Sequence, residues 1–120
     1  MNEKAIQGLL NASPEKRYKS FLTTAADLAE VWLLSSEEGY ATFDADGYIH
    51  LLIWPRREFA VLLQSAEEEP VSMEIHDFIE ECQHLDSHFR FMVFPTQNDA
   101  YVVTTQQLCE DLADHLEEVE

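Results

Sequence analysis

Three short segments rich in apolar and aromatic residues follow one another with little chain between them, and this limits the folds open to the chain. The segments are "EVWLL" at 30–34, "YATF" at 40–43 and "YIHLLIW" at 48–54. Their connections contain the turn-forming pairs Glu38-Gly39 and Asp46-Gly47. Connections this short join antiparallel strands, because a parallel pair needs a crossover of a dozen or more residues. Two consecutive β-hairpins are therefore predicted.

Helical patterns occupy much of the remaining chain. Ser13 followed by Pro14 predicts a helix start, because serine caps helices and proline is tolerated at the first helical position. Further helices are predicted from Pro55, from near Glu74, and after Thr104, which stands three residues before a glutamine. "FRFMVF" and "AYVV" predict two more strands.

This order of elements predicts an α+β fold. Residues 1–120 are expected to form a single domain, a mainly antiparallel sheet of about five strands with helices packed against it. An apolar share of 46% supplies enough residues for a core. Residues 1–12 are a candidate for a loosely attached N-terminal helix.

The charge balance limits the classes of partner. The chain has 24 acidic residues and seven Lys and Arg residues, a formal net charge of −17, and no Lys or Arg lies between positions 58 and 89. Binding to nucleic acids and anionic membranes depends on Lys and Arg, so neither direct nucleic-acid binding nor membrane binding is expected. A basic protein is the natural complement of this charge.

Location and cysteine chemistry follow from similar arguments. No apolar run approaches the ~20 residues that span a bilayer, and the first residues lack the features of a signal peptide, so a cytoplasmic location is expected. Cys82 and Cys109 fall on the apolar arcs of predicted helices and are expected to be buried, unreactive thiols.

Four potential metal ligands recur at four-residue intervals: His76, Glu80, His84 and His88. On one helix they would share the face opposite the apolar stripe. They would span ~18 Å at 1.5 Å per residue, so one ion could contact only neighbouring pairs. Imidazole and carboxylate suit zinc or nickel, and a pair would need further ligands from elsewhere. The alternative is an ordinary solvated helix face with no cofactor.

The last predicted helix carries acids on the arc opposite its apolar residues. They are Glu110, Asp111, Asp114, Glu117 and Glu118. Like charges at these spacings repel one another by a few tenths of a kcal/mol per pair, so stability alone does not favour them. This arc is a candidate binding face for a basic partner, and a solvated acidic surface is the alternative.

The segment "WPRRE" contains the only adjacent basic pair beyond residue 20. Arg56 and Arg57 would lie in the first turn of a helix, where backbone N–H groups also favour anions. With Trp54 as a wall, they form a candidate site for a small anion or ligand. The alternative is that both arginines pair with the surplus of carboxylates.

Several segments resemble those of a known family, in the same order. They are "RYKSF", "EVWLL", "WPRREFA", "VFPTQNDAYVV" and "LCEDL", from about Arg17 to Leu112. The chain resembles the bacterial family called domain of unknown function 2750. The resemblance implies a small, single-domain bacterial protein and assigns no catalytic residue.

Two functions from different classes follow as expectations. The first is a non-enzymatic interaction or regulatory protein that binds a basic partner through acidic helix faces. The second is a divalent-metal-binding protein or metal-dependent enzyme that uses the histidine-containing face. The sequence leaves the oligomeric state open, a dimer included.

Overall fold

The computed structural model describes residues 2–119, which form five helices and seven strands. The helices are α1 (Glu3–Leu10), α2 (Pro14–Leu28), α3 (Arg57–Val61), α4 (Ile75–Cys82) and α5 (Thr105–Val119). The strands are β1 (Glu30–Ser36), β2 (Gly39–Tyr40), β3 (Thr42–Ala45), β4 (Tyr48–Ile53), β5 (Glu69–Glu74), β6 (Phe89–Val93) and β7 (Tyr101–Thr104). None of these helices is long and apolar enough to cross a lipid bilayer.

The strands form two sheets, with orders β2-β1-β5 and β3-β4-β6-β7. The predicted α+β class is confirmed, but the prediction of one sheet of about five strands is wrong. Within residues 2–119, four of the five strand pairs are antiparallel, and β4 pairs with β6 in parallel. Trp32 and Trp54 exchange two backbone hydrogen bonds of 2.9 Å, which connect the two sheets.

Local turn and cap signals agree with the structure. Asp46 and Gly47 have φ values of 55° and 84°, the left-handed conformations that a tight two-residue hairpin turn requires. The Ser13 side chain accepts a hydrogen bond from the Lys16 backbone at 3.3 Å and caps α2. Thr104 likewise accepts one from the backbone of residue 107, at 3.2 Å. The hairpin predicted at Asp46-Gly47 and the helix starts predicted at Ser13 and Thr104 are confirmed.

Strand β5 was not predicted, because its sequence "EPVSME" begins with a charge and a proline. Proline has no backbone N–H for the ladder, so it is found mainly on edge strands. β5 is such an edge: it pairs with β1 alone, in a register that sets Pro70 opposite Leu34.

Helix α4 ends at Cys82, and the prediction of one helix carrying all four potential metal ligands is therefore wrong. The Asp86 side chain accepts a hydrogen bond from the His88 backbone at 2.8 Å. Such side-chain bonds compete with helical ones and favour a turn. The chain then enters β6 at Phe89, so His84 and His88 lie outside the helix.

A buried arginine fastens the loop after β6 to α2. Arg17 is 1% exposed, and its guanidinium donates to the backbone oxygens of Ala12 at 2.6 Å, Phe94 at 3.1 Å and Asp99 at 3.4 Å. It also pairs with the Asp99 carboxylate. Phe94 has φ of 53°, a conformation that costs a bulky residue about 1–3 kcal/mol and persists only where neighbours enforce it.

Candidate functional site

A groove opens between α4 and the faces of both sheets, with a volume of about 500 Å³. We call it the acidic groove. Its lining residues are Leu33, Tyr40, Leu51, Met73, Asp77, Phe78, Glu80, Glu81, Cys82, Leu85 and Phe91. A volume of this size accepts a small ligand or a few side chains of a partner.

The floor of the acidic groove is apolar and comes from several strands. Leu51 of β4 and Phe91 of β6 are direct partners in the parallel pair, so their side chains point to the same face. Met73 reaches the floor from β5. Phe91 is fully buried, whereas Leu51 and Met73 are half-buried and leave apolar surface open to solvent. Tyr40, which is 45% exposed, also lines the groove.

The rim of the acidic groove carries three carboxylates from one helix. Asp77, Glu80 and Glu81 are all exposed on α4 and all line the groove. Helical spacing explains this arrangement, because residues three and four apart share a face. No lysine or arginine lines the groove among the described residues, and the sequence offers none between positions 58 and 89. The rim is therefore a strongly negative edge beside an apolar floor.

The acids predicted on the last helix divide into two groups. Glu110, Asp114, Glu117 and Glu118 are exposed on α5. Asp111 is half-buried, accepts a hydrogen bond of 2.6 Å from the Tyr18 hydroxyl, and accepts another of 2.9 Å from the Gln107 side chain. Asp111 thus joins α5 to α2, and its placement on an open binding face is wrong.

The Tyr18–Asp111 bond makes stability depend on pH in alkaline solution. Burial of the Tyr18 ring, and then the carboxylate beside its hydroxyl, raise the pKa of Tyr18 well above its ordinary value of 10.0. Above pH 10 the unfolded chain loses this proton and the folded chain keeps it, so stability falls as pH rises. We expect the free energy of unfolding to fall by up to ~1.4 kcal/mol per pH unit because of this group. Below pH 10 this group causes no such fall.

Urea unfolding of wild type and Tyr18→Phe, at about pH 9 and about pH 11, measures this slope. The variant should lose markedly less stability between the two pH values than the wild type. Tyr40→Phe is the matched control, since it removes an exposed hydroxyl and should keep the wild-type slope. Equal slopes in wild type and Tyr18→Phe would contradict the argument.

The four potential metal ligands are not brought together. His76 and Glu80 remain on α4, while His84 and His88 lie beyond it. The His76 imidazole lies 2.9 Å from the Glu74 carboxylate, which also caps α4, and bonds from His76 lower the pKa of Glu74. Within residues 2–119, no group of three or more His, Cys, Asp and Glu side chains is arranged to hold a metal ion.

The predicted site around Trp54 has a different character in the structure. Trp54 is fully buried and donates its indole N–H to the Pro95 oxygen at 3.0 Å, so its assignment as the wall of an open pocket is wrong. Arg56 is half-buried and precedes α3, which is five residues long. Arg57 is exposed. Within the described residues neither arginine forms an ion pair, so the alternative of pairing with carboxylates is not seen there either.

Sequence reasoning identified Glu80 but not the rest of the acidic groove. Its floor is assembled from strands far apart in the chain, and one of them, β5, was not predicted. A signal was present in β5: Val71 and Met73 are half-buried while Ser72 and Glu74 are exposed, the period of two expected of a strand.

Comparison with known proteins identifies the family. No curated protein matches the chain. The family described as "Protein of unknown function (DUF2750)" matches residues 18–112, a segment that includes the whole acidic groove. The chain therefore belongs to the DUF2750 family of proteins of unknown function.

Proposed function

We propose that this chain is a non-enzymatic interaction protein that binds a cationic, amphipathic segment of another protein in the acidic groove. The observation that carries the proposal is the pairing of an open apolar floor with a rim of three carboxylates, Asp77, Glu80 and Glu81. Apolar side chains of the partner would pack on Leu51 and Met73. Its lysines or arginines would face the rim.

The two parts of the groove contribute differently to binding. Apolar contact with the floor supplies affinity, because removal of apolar surface from water is favourable. The rim charges add modest affinity, and they accelerate association and reject acidic partners. Because the net charge is −17, the rest of the surface also attracts cationic partners and repels acidic ones. The exposed acids of α5 contribute to this overall negative charge.

Other partner classes fit the groove less well. A nucleic acid or an anionic small molecule would meet three like charges at the rim. An uncharged apolar ligand would use the floor but leave the carboxylates without a counterpart. A cationic segment with apolar side chains satisfies both parts at once.

Selection from a library of random displayed peptides, with the full-length chain as bait, tests the proposal. Enriched peptides should combine Lys or Arg with Leu, Ile or Phe. Binding of a synthetic copy, measured by calorimetry, should weaken when the salt is raised to about 1 M, where charges are screened beyond ~3 Å. Enrichment of acidic or uncharged peptides would overturn the proposal.

A matched pair of triple variants locates the binding surface. Asp77→Asn, Glu80→Gln and Glu81→Gln together should weaken the peptide by about tenfold or more, since each exposed charge pair contributes up to ~1 kcal/mol. Asp114→Asn, Glu117→Gln and Glu118→Gln make the same change in net charge on α5. They should alter affinity far less. Loss of binding in the α5 variant alone would reject the groove and return the site to α5.

A further inference from the structure

A second cavity, of about 700 Å³, is bounded by the end of α4, by the start of β6 and by the first turns of α5. We call it the Arg90 cavity. It shares Cys82 and Leu85 with the acidic groove, but none of the three carboxylates of the rim lines it. A volume of this size accepts a whole small molecule.

The cavity contains an arginine held against an aromatic ring. Arg90 is the only Lys or Arg after position 57, in a chain with 24 acidic residues. Its guanidinium carbon lies 3.7 Å from the centre of the Tyr48 ring, and both residues are half-buried and line the cavity. Contact this close sets the flat guanidinium against the ring, a cation–π arrangement that fixes the position of the charge.

The hydrogen-bond donors of Arg90 are unused within residues 2–119. There the guanidinium forms no ion pair and donates no hydrogen bond, in contrast to that of the buried Arg17. The N–H bonds of a guanidinium lie in its plane, so its contact with the Tyr48 ring leaves them free to reach an acceptor. A positioned arginine with free donors, in so acidic a chain, indicates an acceptor that comes from outside the chain.

The two carboxylates that line the cavity are engaged by residues near them in sequence. Asp86 accepts a hydrogen bond from the His88 backbone N–H at 2.8 Å, and Glu110 accepts one from the Gln106 side chain at 3.2 Å. Neither pairs with Arg90. Two acids and one arginine leave the cavity slightly negative, which disfavours a doubly charged phosphate group more than a singly charged carboxylate.

Part of the lining of the cavity is apolar. Leu85 and Phe89 are half-buried and line it together with both cysteines of the chain. Cys82 is 2% exposed and Cys109 is half-buried, so the prediction of two buried thiols is correct for Cys82 and wrong for Cys109. Apolar walls with a few placed polar groups are typical of pockets for small organic molecules.

We infer that the Arg90 cavity binds a small organic acid, whose carboxylate pairs with the Arg90 guanidinium and whose apolar part packs against Leu85 and Phe89. Guanidinium and carboxylate match in shape, because two parallel N–H groups donate to the two oxygens at once. The net charge of −17 repels anions at long range, but physiological salt screens that repulsion beyond ~8 Å. The inference does not depend on peptide binding in the acidic groove.

Titration of the full-length, ¹⁵N-labelled protein with benzoate, followed by amide chemical shifts at about 0.15 M salt, tests this inference. Benzamide is the matched probe, because it has the same shape without the charge. Benzoate should shift the amides of residues 85–90 and 104–106. It should bind at least about tenfold more tightly than benzamide, since hydrogen bonds between charged groups are stronger than neutral ones.

Three results would contradict the inference. They are equal binding of benzoate and benzamide, absence of saturable benzoate binding, and shift changes confined to amides outside the cavity. Phenyl phosphate is the third probe, and tighter binding of phenyl phosphate than of benzoate would overturn the choice of a carboxylate as the ligand group.

A matched pair of variants locates the bound anion. Arg90→Gln should weaken benzoate binding by about tenfold or more and should change benzamide binding little. Arg57→Gln makes the same change in charge at an exposed arginine outside the cavity, and it should bind benzoate as the wild type does. Arg90→Lys should recover only part of the affinity, since an ammonium lacks the planar pair of donors.

The inference is wrong unless Arg90→Gln loses more benzoate affinity than Arg57→Gln does. A loss in Arg57→Gln alone would place the anion at the start of α3 instead. The comparison of benzoate with benzamide uses the wild type only, so the inference stays testable if Arg90→Gln impairs folding.

Discussion

Replacement of Trp54 by alanine is expected to lower the free energy of unfolding by about 3–5 kcal/mol. Trp54 is fully buried and is the largest of the fully buried side chains. Its removal leaves a cavity where both sheets meet, and it deprives the Pro95 oxygen of the indole donor. Domains of this kind are stable by only 5–15 kcal/mol, so urea unfolding should show a large shift in midpoint.

The second tryptophan of the chain provides the matched control. Trp32 is half-buried, and its indole donates to the Glu30 carboxylate two residues away, so Trp32→Ala should cost much less than Trp54→Ala. Trp54→Phe should fall between them, because it keeps most of the packing and loses the hydrogen bond. A loss of less than ~0.5 kcal/mol in Trp54→Ala, as at a surface position, would show that residue 54 is not a packed core position, and the small-ligand site would regain its wall.

Structural features that depend only on residues close together in the chain can be predicted from the sequence. The Asp46-Gly47 turn, the Ser13 cap and the Thr104 cap each depend on backbone preferences and hydrogen bonds within a few positions, and each is present in the structure. The α+β class follows from the order of such local patterns. These features can be predicted without knowing which distant parts of the chain pack against them.

Features set by distant partners could not be predicted in the same way. β5 is a strand because it pairs with β1 through backbone hydrogen bonds, although Pro70 and the flanking glutamates disfavour a strand locally. The parallel pairing of β4 with β6 depends on the chain between them crossing over through α3, β5 and α4. The length of α4 is limited by the need to enter β6 at Phe89. Tertiary pairing overrides local propensity at each of these places.

The acidic groove also combines features set by nearby residues with features set by distant ones. The spacing of Asp77, Glu80 and Glu81 on one face of a helix is readable from the sequence, although only Glu80 was singled out from it, as a potential metal ligand. The apolar floor beneath that face cannot be read from the sequence. Leu51, Met73 and the other floor residues belong to separate strands, and the order of those strands was unknown. A charged face becomes a specific site only when tertiary structure sets apolar surface beside it.

Arg17→Ala is expected to destabilise the protein by about 3 kcal/mol, the second large effect. The substitution removes the donor to three backbone oxygens, that of Phe94 in a buried bond and those of Ala12 and Asp99 in part-buried bonds. An unsatisfied buried acceptor costs about 1–3 kcal/mol, and Phe94 loses a contact that holds its left-handed conformation. Urea unfolding at neutral pH measures the loss.

The neighbouring lysine isolates the cause of the Arg17 effect. Lys19 lies on the same helix, carries the same charge and is exposed, so Lys19→Ala should change stability by less than ~0.5 kcal/mol. Asp99→Asn should also cost little, because that carboxylate is 47% exposed and its charge is screened by solvent. Arg17→Lys should recover only part of the loss, since one ammonium lacks the planar array of donors that reaches three separate oxygens. If Asp99→Asn cost as much as Arg17→Ala, the ion pair and not the backbone bonds would be what holds the loop to α2.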